Sequence, residues 1–379
     1  MNLIFFTTQD RFFLSHIKDR ADYFAGKGYK VYVLAEKTDN KYVESIEGLN
    51  FKFYNTNIRR DAVNPIMAVG HLFRIWSIYR EIRPDIVIHL GAKSIFLGTI
   101  AAKFQTNLVS IINAPIGLGH IFVSNTFKTR LLRRLVVFLY RILLSPKKAR
   151  VIVENQDDIN FFLKIGAVKK NHVYLVPGAG VDTEKFIPKN SSLKNDSCHV
   201  IMVARLTREK GVYEFIRAAE TIFREKLPIK CQIAGKLDPN NPSSLTQEEF
   251  ERLKRNPAVE YLGYSDDVIS MLQQADIACL PSYREGLPRS LIEACSCGLP
   301  IITTDTVGCR EIINNENGIL VPVADEVALF QAMKTLSLSQ EMRRSMGKKS
   351  RELAIRRFDK IKISEQTYKI SQEVYEAKW

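Results

Sequence analysis

The chain has 379 residues, more than a single hydrophobic core usually supports, so its length favours two domains. Hydrophobic residues form 46% of the sequence and charged residues 25%, a composition that is typical of folded soluble proteins and excludes a disordered chain. The formal net charge is +14, and residues 1–150 carry most of it, with 23 Lys and Arg against 10 Asp and Glu.

The first predicted element is the apolar run NLIFFTT at the amino terminus. We interpret it as a buried strand and not as a signal peptide, because no basic leader or small-residue cleavage site accompanies it. A helical pattern follows from Leu14 to Ala25 and ends at Gly26 and Gly28, and YKVYVLAE is the next strand. The alternation continues through PDIVIHLG, NLVSIIN, ARVIVEN and HVYLVPG, which predicts a parallel sheet.

A basic amphipathic segment, FKTRLLRRLVVFLYRILLSPKKAR, lies among these strands, and no acidic residue occurs between Ile86 and Arg150. Its apolar run is too short and too charged to span a bilayer, so we do not expect an integral membrane protein. The pattern favours a helix on an anionic membrane surface, with the alternative of a core-packed helix with solvated arginines. Nucleic acid is not an expected partner, because no motif accompanies the charge. The predicted membrane-facing residues are Lys128, Arg130, Arg133, Arg134 and Arg141.

A polar linker, PKNSSLKNDS, separates this series of strands from a second one. The second series comprises CHVIMVARL, IKCQIAG, VEYLG, ADIACLPS, LPIITTD and GILVPV. The predicted fold class is therefore α/β, with two doubly wound parallel-sheet (Rossmann-like) domains facing a central cleft. We predict the domains at residues 1–190 and 191–355, and a C-terminal helix within 356–379 that packs back on the first domain.

All six cysteines fall in the second half, mostly within apolar strand or helix patterns: Cys198, Cys231, Cys279, Cys295, Cys297 and Cys309. This placement predicts reduced, structural thiols in a cytosolic protein. A zinc site at Cys295 and Cys297 is the alternative, but the pair lacks the usual two-residue spacer and a second pair.

Two loops of the second half contain candidate binding residues, because ligands of parallel sheets bind beyond the carboxyl ends of strands. In ARLTREKGVYEF, Arg205 and Lys210 follow a strand and Gly211 opens a helix, which suits a phosphate, although an ordinary exposed loop is the alternative. In SYREGLPRSLIEA, the glutamates Glu285 and Glu293 flank a Gly-Leu-Pro turn at a helix start. Carboxylates accept hydrogen bonds from sugar hydroxyls, and amides and cations bind diphosphate, so one nucleotide sugar would engage all of these groups.

These residues carry a family resemblance. EGLPRSLIEA, with glutamates eight positions apart, resembles the E-x7-E motif of the retaining nucleotide-sugar glycosyltransferases of group 1, which have the two-domain GT-B fold. The resemblance extends through ARLTREKG, VEYLGYSDDVISMLQQADIACLPS and GLPIITTDTVGCREIINNENGILVP, in the order of the family. In the first half, FFLSHIKDRADYFAGKGYKVYVLA resembles members that act on polyprenyl-diphosphate-linked sugars, and VPGAGVDTEKF resembles the family's domain-crossing segment.

The resemblance implies roles for individual residues. Arg205 and Lys210 would bind the donor diphosphate, Glu293 the ribose hydroxyls and Glu285 the donor sugar. The backbone amides around Gly286, Leu287 and Pro288 would also donate hydrogen bonds to the phosphates. The base would lie near Gly263 and Tyr264. Two departures are notable: TTQDRFF replaces the glycine-rich loop expected after the first strand, and Cys309 replaces the second glycine of the usual Gly-Gly.

The sequence contains no Asp-x-Asp and no clustered metal ligands, so we expect no metal and no cofactor beyond the nucleotide-sugar donor, most simply a UDP-sugar. Cations and a helix amino terminus would then neutralise the leaving diphosphate, and the resemblance implies transfer with retention. His16 and His120 are candidates for positioning or deprotonating the acceptor, although a lone histidine is more often structural.

The sequence thus predicts a glycosyltransferase, for hexose or N-acetylhexosamine, that extends a lipid-linked glycan acceptor in O-antigen, capsule or related polysaccharide synthesis. It would be cytoplasmic and peripheral on the inner face of the cell membrane. Two alternatives stay open: a nucleotide-sugar epimerase or hydrolase of the same fold, which would need an acid/base pair and no acceptor site, and a non-catalytic basic binding protein.

Overall fold

The computed structural model describes residues 1–58, 65–105, 110–116, 127–144, 149–189, 197–239, 241–314 and 316–376, without the side chains of 65, 66, 128 and 376. The chain forms two compact units that divide between Ala179 and Gly180 and again between Asp359 and Lys360. The first division lies before the linker suggested by composition. Its physical reason is a pairing within the second unit, where Val181 N donates to Phe358 O at 2.8 Å and the Thr183 hydroxyl donates to the Asp359 carboxylate at 2.6 Å.

The first unit is built on a parallel sheet whose described strands have the order β3-β2-β1-β4-β5-β6-β7. The strands are β1 (Asn2–Gln9), β2 (Lys30–Glu36), β3 (Lys52–Asn55), β4 (Ile86–Leu90), β5 (Ser110–Ala114), β6 (Ala149–Val153) and β7 (Val173–Leu175). Its central strands are buried on both faces, which is why they are almost continuously apolar in sequence.

The helices of this unit cover the two faces of the sheet. They are α1 (Asp10–His16), α2 (Lys18–Gly26), α3 (Asn40–Glu47), α4 (Pro65–Ile82), α5 (Ala92–Ala102), α6 (Phe127–Leu143), α7 (Gln156–Lys164), a 3₁₀ turn at Lys170–His172 and the C-terminal helix (Lys360–Glu376). One core joins Leu3 and Phe5 of β1 to α1, α2 and the C-terminal helix, and a second joins Ile4 and Phe6 to α4 and α5.

The second unit contains another parallel sheet, with the described order β10-β9-β8-β11-β12-β13. The strands are β8 (Cys198–Val203), β9 (Ile229–Ala234), β10 (Val259–Gly263), β11 (Ile277–Leu280), β12 (Ile301–Thr304) and β13 (Gly318–Val321). The helices are α8 (Val212–Arg224), α9 (Gln247–Arg255), α10 (Val268–Gln274), α11 (Arg289–Ser296), α12 (Glu326–Leu338) and α13 (Gln340–Leu353), with 3₁₀ turns at Arg208–Lys210 and Arg310–Ile312 and a π-helix at Ala354–Phe358. Both sheets are parallel, as predicted.

Each sheet reverses its strand order at one place. In the first unit β1 leads outward to β2 and β3, and the chain then returns to pair β4 with the other edge of β1. In the second unit β8 and β11 are neighbours in the same way. Helices leave the two strands of such a pair on opposite faces, so a crevice opens beyond their carboxyl ends. These two switch points are therefore the expected ligand positions of the two units.

The six cysteines are buried and form no disulfide. Burial raises the pKa of the Cys231, Cys295, Cys297 and Cys309 thiols to about 12, because a thiolate loses its solvation in the core. We therefore expect the native protein to release no colour from a chromogenic disulfide reagent at pH 8, and all six thiols to react in denaturant. Rapid reaction of one native thiol would contradict this assignment.

Candidate active site

The site of the second unit lies where β8 and β11 end. The loop after β8 forms the 3₁₀ turn Arg208–Lys210, and Gly211 then adopts a left-handed φ of +75° before α8 begins. A Cβ on Gly211 would stand 2.0 Å from the Pro281 carbonyl oxygen in the loop after β11, so only glycine fits this approach. The glycine thus lets the two loops touch and brings Lys210 against the Glu285 loop.

Lys210 and Glu285 form an ion pair across these loops. Lys210 Nζ lies 2.6 Å from Glu285 Oε1, and their side chains are only 19% and 11% exposed. The Ser282 hydroxyl is 2.7 Å from the same Oε1 and 2.8 Å from the Glu209 carbonyl, so its single proton serves one of the two acceptors at a time. Glu285 Oε2 has no hydrogen-bond partner among the described residues and can accept a hydrogen bond from a ligand hydroxyl.

The loop after β12 forms hydrogen bonds with the loop that contains Glu285. Glu285 N donates to Val307 O at 3.0 Å, and the Thr306 hydroxyl donates to Tyr283 O at 2.9 Å. Gly308 has φ +79°, and a Cβ there would stand 2.5 Å or less from the carbonyls of Glu285 and Gly286. Cys309 is right-handed, with φ −68° and ψ −46°, so the second glycine of the family pattern is not required here.

Glu293 lies on α11, which begins at Arg289 with Pro288 as its N-cap. Glu293 is 8% exposed, and Arg289 Nε donates to its Oε1 at 2.8 Å. Burial raises the pKa of Glu293 above its usual value because the charged form loses solvation, and the charge and hydrogen bond of Arg289 act in the opposite direction. Oε2 has no partner in the part of the chain that is described, so each glutamate keeps one oxygen for a ligand.

Arg205 does not join Lys210. Its guanidinium forms an ion pair with Asp238, which follows β9, and the Asp238 amide donates to Ser244 Oγ at 3.1 Å. The predicted pair of cations is therefore split in the structure: Lys210 is held by Glu285 and Arg205 by Asp238. Asp238 was not predicted, because a residue 33 positions from Arg205 leaves no local signal. Ser282 was not predicted either, although it lies only three positions before Glu285. Arg289 was also missed, although its four-residue spacing from Glu293 on a helix is a readable signal.

The predicted base-binding residues lie at the end of β10. Gly263 has φ +79°, and nothing described lies within 4 Å of where its Cβ would stand. The Tyr264 side chain is 57% exposed, its hydroxyl donates to Asp266 at 2.8 Å, and Lys236 Nζ lies 4.1 Å from the ring centroid. Lys236, which the sequence did not single out, thus forms part of this surface.

The acceptor-side candidates belong to the first unit. His16 ends α1, stacks on Phe12 at 4.4 Å and lies 2.7 Å from the Ser15 hydroxyl, while His120 lies outside the described residues. The loop that replaces the glycine-rich turn is held by Asp10. Its buried carboxylate accepts hydrogen bonds from the amides of Arg11 and Thr38, both at 2.7 Å. This side chain links the end of β1 to the loop after β2.

Helix α6 has two apolar faces. One packs into the unit through Tyr140 and Leu143, which are 2% and 3% exposed. The other is exposed and presents five large apolar side chains at helical spacing: Phe127, Leu131, Leu135, Phe138 and Ile142. Of the predicted basic residues, Arg130, Arg134 and Arg141 are exposed and Arg133 is half-buried, whereas the Lys128 side chain is not described. No helix in the described part of the chain has the length and apolarity to cross a membrane.

Two family models match the chain in succession. The model described as glycosyl transferase 4-like matches residues 2–155, and the model described as glycosyl transferases group 1 matches residues 183–353. The second match contains Arg205, Lys210, Glu285 and Glu293.

Relatives and solved structures match over most of the chain. A Campylobacter jejuni N,N'-diacetylbacillosaminyl-diphospho-undecaprenol alpha-1,3-N-acetylgalactosaminyltransferase is 28% identical over 377 residues, which is 94% of this chain and 93% of that one. An Escherichia coli UDP-Gal:alpha-D-GlcNAc-diphosphoundecaprenol alpha-1,3-galactosyltransferase is 25% identical and covers 79% and 78% of the two chains. The crystal structure of Anabaena Alr3699/HepE in complex with UDP superposes with a TM-score of 0.78 at 16% identity, covering 98% of this chain and 100% of that chain. The predicted fold class is confirmed, and the chain is a glycosyltransferase with the GT-B fold, built from a glycosyl transferase 4-like region and a region of the glycosyl transferases group 1.

Proposed function

We propose that this glycosyltransferase moves a sugar from a UDP-sugar to a sugar carried on a polyprenyl diphosphate, with retention of anomeric configuration and without a bound metal ion. The observation that carries the proposal is the pair of glutamates at the β8/β11 switch point. Each has one oxygen held by a cation and one without a partner in the described residues. Two carboxylate oxygens for hydroxyls, beside cations and a helix start for phosphates, suit a nucleotide sugar.

The donor would be held at three points. Glu293 would accept hydrogen bonds from the ribose hydroxyls, Lys210 and Arg205 with the first turn of α11 would hold the diphosphate, and Glu285 would hold the sugar. Arg205 would have to share its charge between Asp238 and phosphate. The base would lie against the Gly263–Tyr264 surface.

In the transfer step, the bond between the sugar C1 and the β-phosphate oxygen breaks, and its electron pair leaves with the phosphate. The acceptor hydroxyl oxygen forms the new bond to C1 from the same face, and its proton passes to the departing phosphate oxygen. Lys210 would stabilise the negative charge that grows on this oxygen, which is the kind of preorganised contact with the largest effect on rate.

The choice of donor and acceptor is supported by names of relatives. Both relatives above act, by their names, on sugars linked to undecaprenyl diphosphate, and one uses UDP-Gal. The Anabaena structure contains UDP in a chain of the same fold. Because the Campylobacter jejuni relative transfers N-acetylgalactosamine, we propose an N-acetylhexosamine as the transferred sugar, in the synthesis of a surface polysaccharide.

The test is a binding and turnover panel. Thermal stabilisation by UDP, GDP, ADP and their sugars should select UDP compounds, and Glu293→Ala should lose the shift, because ligand binding stabilises the folded state by mass action. Turnover of the preferred donor should require a lipid-linked sugar, persist in EDTA and yield a product with the donor's anomeric configuration by NMR. Turnover without an acceptor would instead favour a hydrolase or epimerase, and no nucleotide binding would refute the donor site.

We also propose that the enzyme works on the membrane surface, with α6 as the contact. Its outward face combines five exposed apolar side chains with the exposed Arg130, Arg134 and Arg141, in a stretch of sequence that has no acidic residue. Apolar side chains can enter the headgroup region while arginines bind anionic headgroups. This arrangement accounts for exposed leucines and phenylalanines that a solvated helix would not need.

Vesicle binding tests this contact. Leu131→Glu with Leu135→Glu should lower binding to phosphatidylglycerol vesicles roughly 100-fold, because each leucine contributes on the order of 1.5 to 3 kcal/mol when buried in apolar surroundings. Val327→Glu is the matched control, since Val327 is 66% exposed on the second unit. Equal binding by the double variant and the control variant would exclude α6 as the membrane contact.

A further inference from the structure

The switch point of the first unit carries an unassigned group of residues. They follow β4, in the stretch HLGAKSIF, where Gly91 connects the strand to α5, which begins at Ala92. We infer that the first turn of α5, with Gly91, Lys93 and Ser94, is a subsite for the diphosphate of the lipid-linked acceptor. The choice of acceptor rests on the proposed function, whereas the anion site rests on the features that follow.

The first feature is the backbone at the helix start. Gly91 is the N-cap with φ +88°, a left-handed conformation that favours glycine, and its own amide donates to Ala114 O of β5 at 2.9 Å. The helical ladder begins with Ile95 N donating to Gly91 O at 3.0 Å. Because glycine has no side chain to cap the amides of the first turn, this turn presents N–H donors and the positive end of the helix dipole beyond the strand.

The second feature is an unsatisfied hydroxyl. Ser94, in the third position of the helix, is 1% exposed, and its Oγ has no hydrogen-bond partner among the described atoms. The Cα–Cβ bond of a helical residue tilts toward the helix amino terminus, so the Ser94 side chain starts from its Cα in the direction of the free amides. A buried hydroxyl without a partner is costly, and a bound oxygen atom would satisfy it.

The strands on either side of β4 also contain buried polar atoms without hydrogen-bond partners among the described residues. Thr7 of β1 and Asn113 of β5 are both fully buried, and neither Thr7 Oγ1 nor Asn113 Nδ2 has a partner in the described part of the chain. These two strands flank β4 in the sheet. Unpartnered polar atoms therefore also occur in the carboxyl halves of the two strands beside β4, with Asn113 on the sheet face of Phe6 and His89.

Space and charge also fit an anion. Among the described residues, nothing lies within 4 Å of where a Cβ on Gly91 would stand, so the described part of the unit leaves this helix start open. Lys93 is half-buried in the first turn, and the sequence from Ile86 to Arg150 contains no acidic residue. A doubly charged diphosphate is the best match to amides, a hydroxyl and an ammonium group together.

The acceptor and the donor both contain a diphosphate, and the test separates them. Farnesyl diphosphate serves as a soluble polyprenyl diphosphate, and its affinity for the full-length protein is measured by calorimetry with UDP at saturation, so that the donor site is occupied. We expect Ser94→Asp to lower this affinity roughly 100-fold and Lys93→Gln roughly tenfold, the scale for removing hydrogen bonds to charged groups. UDP affinity should be unchanged in both variants.

Matched controls keep the outcome clear. Lys103→Gln removes one charge at the other end of the same helix and should leave the affinity for farnesyl diphosphate unchanged. Ser94→Ala removes only the hydroxyl, and it replaces Ser94→Asp in the binding test if the Ser94→Asp variant does not fold. The subsite is refuted if farnesol binds as tightly as farnesyl diphosphate, or if the Ser94 and Lys93 variants keep the wild-type affinity. A protein that binds no UDP and transfers no sugar would instead refute the proposed function.

Discussion

Lys210→Met should lower kcat for sugar transfer roughly 100-fold or more, while the protein stays folded. Lys210 is the cation nearest to Glu285, and the two side chains lie together in a largely buried contact of 2.6 Å. Removing the ammonium group takes away the charge that would neutralise the leaving phosphate. It also leaves the Glu285 carboxylate with only the Ser282 hydroxyl as a hydrogen-bond partner in the described residues.

Arg252→Met is the control for this variant. Arg252 also pairs with a glutamate, Glu248, but both side chains are more than 70% exposed on α9. Surface ion pairs of this kind contribute little, so neither kcat nor the melting temperature should change appreciably. If Lys210→Met retained near wild-type kcat, the leaving group would be stabilised elsewhere and the assignment of this loop would be wrong.

Glu293→Gln should have opposite effects on stability and on function. Burial raises the pKa of Glu293, so folding favours its neutral form and the ionised side chain lowers the stability of the folded protein at neutral pH. The glutamine variant lacks this charge and should melt at a higher temperature at pH 7. The gain should shrink as the pH falls through the raised pKa of the folded protein and should vanish below the ordinary carboxyl pKa of 4.5, where the wild type is protonated as well.

The same variant should bind UDP roughly 10- to 100-fold more weakly, because a hydrogen bond to a charged acceptor becomes one to a neutral amide. Arg289→Met tests whether Arg289 keeps the Glu293 carboxylate ionised for UDP binding. Without the guanidinium the pKa of Glu293 should rise further, so as the solution is acidified UDP affinity should begin to fall at a higher pH in this variant than in the wild type, and it should recover when the pH is raised again. Arg289→Lys should restore most of the affinity. A flat pH profile in Arg289→Met would show that Arg289 does not maintain the ionised carboxylate.

Local sequence determined much of this architecture. Apolar strands that alternate with amphipathic helices specify two parallel sheets, because the spacing of apolar residues indicates which faces of each strand or helix are buried. The loops after β8 and β11 were also predictable, since parallel strands place all their carboxyl ends at one edge. For that reason the sequence indicated Lys210, Glu285 and Glu293 before their surroundings were known.

The tertiary structure alone decided which of these residues meet. Lys210 and Glu285 are 75 positions apart and Arg205 and Asp238 are 33 apart, so their pairing depends on which strands become neighbours and on glycines that let loops touch. It also decided which face of α6 is buried, because both faces are apolar and periodicity cannot choose between them. The unsatisfied Ser94 hydroxyl is a property of packing, and the sequence showed only a serine in a helix.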